Sequence, residues 1–416
     1  MGLISRNSHF SRVTSLAALR PVHAAFAWMH QNPKTIMDWQ VELSTIPAPP
    51  FGEQARSAWA AERFAEIGLQ SVSTDEVGNV FGVIPARHLP PESTGHVVVL
   101  SAHLDTVFPA ATPLVPVLDG DLLKIPGACD NGAGVVGMLA IAKALVHAAA
   151  ELPVPLVVLA NVGEEGEGDL RGVRHLYQTN PLAGRIAAHI VLDGAGADTA
   201  VVQALGSRRF LVRVDGPGGH SFSDAGTPNP IASLSAALAS FVDHPLPIEP
   251  RTTVNLGTIR GGTSVNSIPQ FAEASVDIRS TSTDELTRLE VALYRAAEDA
   301  VTHFNQKPSA QGRGSLTLKI QRIGDRPAAE LPGDSPLLGM LRAVDRHLNL
   351  PTELRLGSTD ANIPLSLGVP SMSLGAGGDG GGAHTLEEWY SAKDRELGLR
   401  RVLLLTLGML GWAAEQ

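Results

Sequence analysis

The feature that most limits the fold of this chain is a set of continuous apolar runs at 97–102, 155–160, 188–192 and 371–374. Each ends among acids, histidines or glycines, and helical stretches separate most of them. Strands apolar on both sides need cover on both faces, so the pattern predicts an α/β fold with a mostly parallel sheet covered by helices. Helices are expected at 133–149, 170–178 and 334–347, and a last one from Leu386 onward. Upstream, helices are expected at 16–30 and 35–43, parted by Asn32-Pro33, and at 54–67, stopped by Gly68. Short extended pieces follow at 70–74 and 79–84, then a charged, proline-containing loop to Gly95.

The style changes near Ser207. Stretches 208–215, 252–260, 271–279 and 315–322 alternate in polarity, with helical stretches at 229–241 and 283–305. Four strands with one solvated face and two helices make a compact α+β unit of ferredoxin-like type. Since 416 residues exceed one ordinary core, the expected organisation is a discontinuous domain, 1–206 with 323–416, into which 207–322 is inserted.

Composition narrows the partners. The net charge is −10 with no basic block, which argues against nucleic acid, whose phosphates need clustered Lys and Arg. No run reaches the roughly 20 apolar residues of a membrane span. The single cysteine, Cys129, permits no intramolecular disulfide and reads as a small buried apolar residue. Residues 1–37 carry Arg6, Arg12, Arg20 and Lys34 with no acid before Asp38, a faint likeness to a transit peptide. Arg20-Pro21 breaks any signal-peptide core, and the stretch reads as an N-terminal helix pair.

Five places offer groups that bind metals or move protons. His103-Leu104-Asp105 ends the first run, and its spacing lets Asp105 accept the second imidazole N–H. Gly127-Ala128-Cys129-Asp130-Asn131-Gly132 opens a helix. Gly163-Glu164-Glu165-Gly166 follows the second run, where adjacent acids repel unless a cation or proton relieves them. Leu192-Asp193-Gly194 ends the third run, and Gly382-Ala383-His384-Thr385 closes a glycine-rich loop after the fourth. Taken singly, each suits a surface loop. Together His103, Asp130, Glu165, Asp193 and His384 supply nitrogen and oxygen donors for two divalent cations, with Asp130 between them. Gly132-Ala133-Gly134-Val135-Val136-Gly137 spells a dinucleotide fingerprint, but an acid and Asn131 precede it where a strand belongs, and strand 155–160 leads into Asn161 rather than an acid.

In order, Ser-Ala-His-Leu-Asp-Thr-Val, Gly-Ala-Cys-Asp-Asn-Gly, Gly-Glu-Glu-Gly, Leu-Asp-Gly and Gly-Ala-His-Thr resemble metallopeptidase family 20, which includes peptidase T, carboxypeptidase G, aminoacylase and the acetylornithine and succinyl-diaminopimelate deacylases. The resemblance runs from about Asp38 to the C-terminus. It implies that His103 and Asp193 hold one zinc, Glu165 and His384 the other, and that Asp130 bridges them, with a cis peptide to Asn131. It further implies Glu164 as general base and Asp105 as the orienting group. The inserted unit resembles the family's lid and dimerisation domain, and His220, in Gly218-Gly219-His220-Ser221, matches the histidine that polarises the scissile carbonyl. Asn266 and Arg279 match substrate-binding positions, and Thr359 is a weaker match. The chain departs from several relatives at Asn131, where they carry a second acid. The implied activity is hydrolysis of small peptides by a homodimeric, cytoplasmic di-zinc enzyme, with cobalt or manganese as alternative metals. N-acyl-amino-acid deacylation is the near alternative and a non-catalytic metal-bound module the remote one.

Overall fold

The structure is a computed structural model that describes residues 2–87, 95–306 and 314–416, with side chains from residue 9 onward. The chain divides into two compact units, Met1–Ala204 with Glu330–Gln416, and Leu205–Ala329. Residues 88–94 of the loop expected to run to Gly95 lie outside the described residues.

The first unit is built on a nine-stranded sheet. Its path runs through Gln70–Thr74, Val80–Ile84, Leu156–Asn161, Val97–His103, Ile186–Leu192, Ser371–Leu374 and Thr199–Ala204. The pairs from Leu156–Asn161 to Ser371–Leu374 are parallel, whereas Gln70–Thr74, Val80–Ile84 and Thr199–Ala204 join antiparallel, and Glu353–Gly357 pairs parallel with Thr199–Ala204 off the main path. Every residue of the four central strands is buried, as their unbroken apolar runs require. Gly132–His147 is buried almost all round, sandwiched between the sheet and the helices Arg20–Gln31 and Pro33–Ser44. Because the central strands are parallel and adjacent, their carboxyl ends stand in a row at His103, Asn161, Leu192 and Leu374, where open α/β sheets gather ligands.

Three expectations are corrected in this unit. The helix expected at 16–30 is two, Gly2–Ala17 and Arg20–Gln31, because Pro21 has no N–H to continue a turn and starts a new helix instead. The N-terminal segment is therefore three helices rather than a pair, counting Pro33–Ser44. The last helix begins at Arg395, not Leu386. In between, Trp389–Ser391 pairs with Leu122–Lys124 in a small four-stranded sheet, and Asp394 takes a left-handed conformation (φ 59°) that turns the chain into the helix. Finally, Thr199–Ala204, Glu353–Gly357 and the helix Asn362–Ser366 were not anticipated.

The second unit is a four-stranded antiparallel sheet in the order Thr252–Gly261, Phe271–Ser280, Gly206–Asp215, Thr317–Arg326. The helices Pro230–Val242 and Thr283–Gln306 cover one face. Alternation places Phe210, Val212, Val214, Ala274, Val276 and Ile278 inward against Leu234, Leu238, Phe241, Leu286, Leu289 and Leu293. Arg213, Glu273 and Arg260 pair across the opposite face.

Candidate metal centre and active site

Strand ends and the turns after them set the site. His103 closes its strand, 1% exposed. Its Nε2 lies 3.3 Å from Oδ1 of Asp130 and 3.7 Å from Oδ1 of Asp193. Nε2 of His384 lies 3.1 Å from Oδ2 of Asp130 and 3.1 Å from Oε1 of Glu165. Ligand-type atoms of His103, Asp130 and Asp193 all fall within 4.8 Å of one another, as do those of Asp130, Glu165 and His384. Asp130 thus belongs to both groups. A third grouping joins His103, Glu164 and Glu165. Oδ1 of Asp130 is buried with no hydrogen-bond partner, so the donor set contains an orphaned oxygen of the kind a cation would satisfy.

The electrostatics agree. Burial alone would lower the His103 pKa, but Asp105, Asp130 and Asp193 outweigh it and hold the imidazole well above its usual value. Burial would likewise raise Asp130, yet His103 and His384 reverse this and hold its carboxyl well below the carboxylate range. Glu165 is pushed up by burial and by the Asp130 charge. The bond to Asp130 lifts His384 to about 9. Acids this close stay together only against positive charge, which imidazolium protons or dications would supply.

Asp105 touches the imidazole and also a second turn. Nδ1 of His103 bonds to the backbone oxygen of Asp105 at 3.1 Å, with the carboxylate 3.6 Å away. The carboxylate also accepts the backbone N–H groups of Glu164 at 3.0 Å and Glu165 at 2.7 Å. It therefore orients the Glu164-Glu165 turn directly.

Asp130 is joined to Asn131 by a cis peptide bond. Asn131 caps the helix through Gly134 N–H, accepts the Gly194 N–H at 3.0 Å, and donates to the Leu192 oxygen at 2.9 Å. It ties the Asp130 turn to the Asp193 turn. A Cβ at Gly134 would meet Asn131 Oδ1 at 2.0 Å and the Leu192 oxygen at 2.7 Å, so the glycines serve close approach to that strand end. In the loop to His384, a Cβ at Gly380 would meet Cys129 Sγ at 2.4 Å. Cys129 is buried, and burial pushes its thiol up to about 12, in line with the apolar reading.

Two buried acids had no signal in the sequence. Glu388, 1% exposed, accepts the backbone N–H groups of Gly127, Cys129 and Asp130, each at 2.8 Å. Asp360 accepts from Asn161 at 2.7 Å. Neither ends an apolar run, and both sit in ordinary polar loops. Arg56, equally buried, donates to the Ile46 and Leu104 oxygens at 2.8 Å beneath the His103–Asp105 turn.

The remaining residues singled out from sequence are not among the grouped donors. Thr359 is buried, and its hydroxyl accepts the Ala361 N–H in a local cap. In the second unit, Gly219–His220 pairs with Ser267–Ile268, and Ser221 donates its N–H to the Asn266 oxygen, bringing His220 and Asn266 side by side. Arg279 is partly exposed and bonds Asp277 at 2.7 Å.

With this geometry in hand, likeness to known proteins is informative. The family described as peptidase family M20/M25/M40 matches residues 99–407. A probable carboxypeptidase of Aspergillus clavatus is 30% identical over 279 residues, 60% of this chain and 58% of that one. The chain therefore spans less than two thirds of that curated relative's length. Among solved structures, a tripeptidase of Staphylococcus aureus superposes with a TM-score of 0.71 at 20% identity, covering 92% of this chain and 99% of its own. A Bacillus subtilis protein described as a dinuclear metal-binding peptidase of the M20 family gives 0.65 at 16%, covering 91% and 98%. A fold shared along nearly the whole chain and a family match that takes in all five clustered donors lead to one assignment: the chain belongs to peptidase family M20/M25/M40.

Proposed function

We propose that the chain hydrolyses an amide bond in small peptides, using a pair of divalent cations and Glu164 as general base. The observation that carries the reading is the sharing of Asp130 between two donor groups, His103 with Asp193 and Glu165 with His384. Those residues would hold the cations, and an all-nitrogen-and-oxygen donor set suits zinc, with cobalt or manganese as alternatives. When bound, such a pair polarises a carbonyl and acidifies water.

The chain's own residues supply the rest. Asp105 fixes the turn that presents Glu164, whose carboxylate takes the proton of the attacking water and passes it to the departing amine. Nδ1 of His220 accepts the N–H groups of Phe222 and Ser223 at 3.2 and 3.3 Å, which leaves Nε2 as the protonated nitrogen. This supports a donor role for His220 toward a substrate carbonyl oxygen. Arg279, Asn266 and Thr359 are proposed substrate contacts, the Thr359 hydroxyl keeping its O–H to donate while it accepts the Ala361 N–H.

A homodimer through the second unit is part of the proposal. Its edge strand Thr252–Gly261 exposes Leu256 and Ile259 beside a backbone edge that pairs with no other strand among the described residues, a surface that a second copy would cover. No described helix is long and apolar enough to cross a membrane. A cytoplasmic location is proposed on the single cysteine.

The test is turnover of a tripeptide and N-acyl-amino-acid panel with zinc supplied, and its loss with chelator. Peptide hydrolysis is expected, and turnover confined to acyl amino acids would replace the substrate class. Glu164→Gln is expected to take up metal as the wild type does and to lose at least ~10²-fold in kcat. Near-normal turnover in that variant would remove Glu164 from the chemistry.

A further inference from the structure

We infer that Glu388 is a positioning residue that fixes the Asp130 turn against the His384 loop, and so sets the spacing between the two donor groups that share Asp130. The inference rests on the proposed role of Asp130 as a ligand common to both groups.

Three observations carry it. The carboxylate of Glu388 is buried and gathers three N–H groups from one short turn: Oε2 takes Gly127, and Oε1 takes Cys129 and Asp130. Asp130 is thus held through its own backbone nitrogen, by a charge-assisted bond 258 residues away in sequence. Second, Glu388 stands four residues after His384 in a tightly bonded segment. Thr385 donates both N–H and hydroxyl to the Gly382 oxygen, and Glu388 donates its N–H to the Thr385 oxygen. Third, the two segments are laced beyond the carboxylate. Ile125 donates its N–H to the Glu388 oxygen, and Trp389–Ser391 pairs with Leu122–Lys124. Movement of the 127–130 turn therefore has to break bonds to the same segment that carries His384.

A purely structural role predicts something different. If Glu388 only braced the loop, its replacement would lower stability and leave the affinity for cations unchanged in the protein that remains folded. If it sets the Asp130–His384 spacing, both donor groups weaken, because Asp130 serves each. Glu388→Gln keeps the shape but puts an NH₂ where Oε2 meets Gly127 N–H, setting donor against donor. Glu388→Asp keeps the charge but withdraws the carboxylate by one methylene. Glu387→Gln, at the exposed neighbour, is the control.

The full-length chain, stripped with chelator, is titrated with Zn²⁺ by calorimetry and with Co²⁺ followed by its visible absorption. Wild type and Glu387→Gln are expected to take up two equivalents with the same affinity and spectrum. Glu388→Gln and Glu388→Asp are each expected to bind both equivalents ~10–100-fold more weakly, with an altered cobalt band. If one variant does not fold, the other answers alone. Native affinity and spectrum in either, even with a lowered melting temperature, would overturn the positioning role. Wild-type protein that takes up no dication would overturn the reading of the site itself, a result distinct from the variants' failure.

Discussion

At Asn131 the structure explains what an amide does beside a shared ligand. Its oxygen accepts Gly134 and Gly194 N–H while its nitrogen donates to the Leu192 oxygen, a combination no carboxylate reproduces. Asn131→Ala removes a helix cap, worth ~1 kcal/mol, and strands the buried Leu192 oxygen at ~1–3 kcal/mol. The expected loss is about 2–4 kcal/mol, read from urea unfolding in chelator so that metal does not contribute. A loss under ~0.5 kcal/mol would mean that water replaces the amide. At this scale the sequence discloses ligand types well, because each clustered donor follows an apolar run or ends a glycine loop. It discloses supports poorly. Glu388 and Asn131 act on backbone groups of distant turns, and a hydrogen bond to a main-chain N–H leaves no motif. Asp105 was legible as an orienting acid, but that its carboxylate also holds the Glu164-Glu165 backbone was not.

Strands Val97–His103 and Ile186–Leu192 and the helix Arg171–Thr179 are joined by a fully buried histidine, His189. Nε2 of His189 meets the Ser101 hydroxyl at 2.8 Å and Nδ1 meets the Tyr177 hydroxyl at 3.1 Å. Burial pushes the His189 pKa down to about 3, so the folded chain keeps it neutral where the unfolded chain, with an ordinary value near 6.5, takes up a proton. Between those two values the unfolded state binds more protons, and stability therefore rises with pH across that window. From pH 6.5 downward, His189 is expected to remove about 1.4 kcal/mol per pH unit, roughly 2 kcal/mol by pH 5. His189→Gln loses hydrogen bonds at neutral pH but should flatten this slope. Urea midpoints of both proteins in chelator at pH 5 and pH 7 measure the difference, and equal slopes would show that His189 titrates normally. At this scale, strands written as unbroken apolar runs were legible, and strands held by pairing alone were not. Apolar runs of four to six residues declare a covered strand, whereas the three-residue strands Val117–Asp119, Leu122–Lys124, Asp379–Gly381 and Trp389–Ser391 are too short to show a period. The helix expected from Leu386 failed for the same reason, since Trp389–Ser391 is held by pairing across the chain and not by its own pattern.

The division of the whole molecule follows from a change in period: unbroken apolar runs before and after, alternating strands between. Compact units meet at Ala204/Leu205 and Ala329/Glu330, a few residues outside the boundaries expected at 207 and 322. Each unit has its own buried core, and all five proposed cation ligands belong to the first. A ligand that binds only folded protein stabilises the body that holds it, by about 4 kcal/mol at a thousand times its dissociation constant. Calorimetry of the full chain with zinc is therefore expected to show two transitions, and chelator to lower one while leaving the other in place. Phe210→Ala, which empties the core of the second unit at a cost of ~3–5 kcal/mol, should lower the transition that chelator spares. If Phe210→Ala and chelator move the same transition, the units unfold as one cooperative body, and the insertion read from the sequence is a matter of architecture without thermodynamic independence.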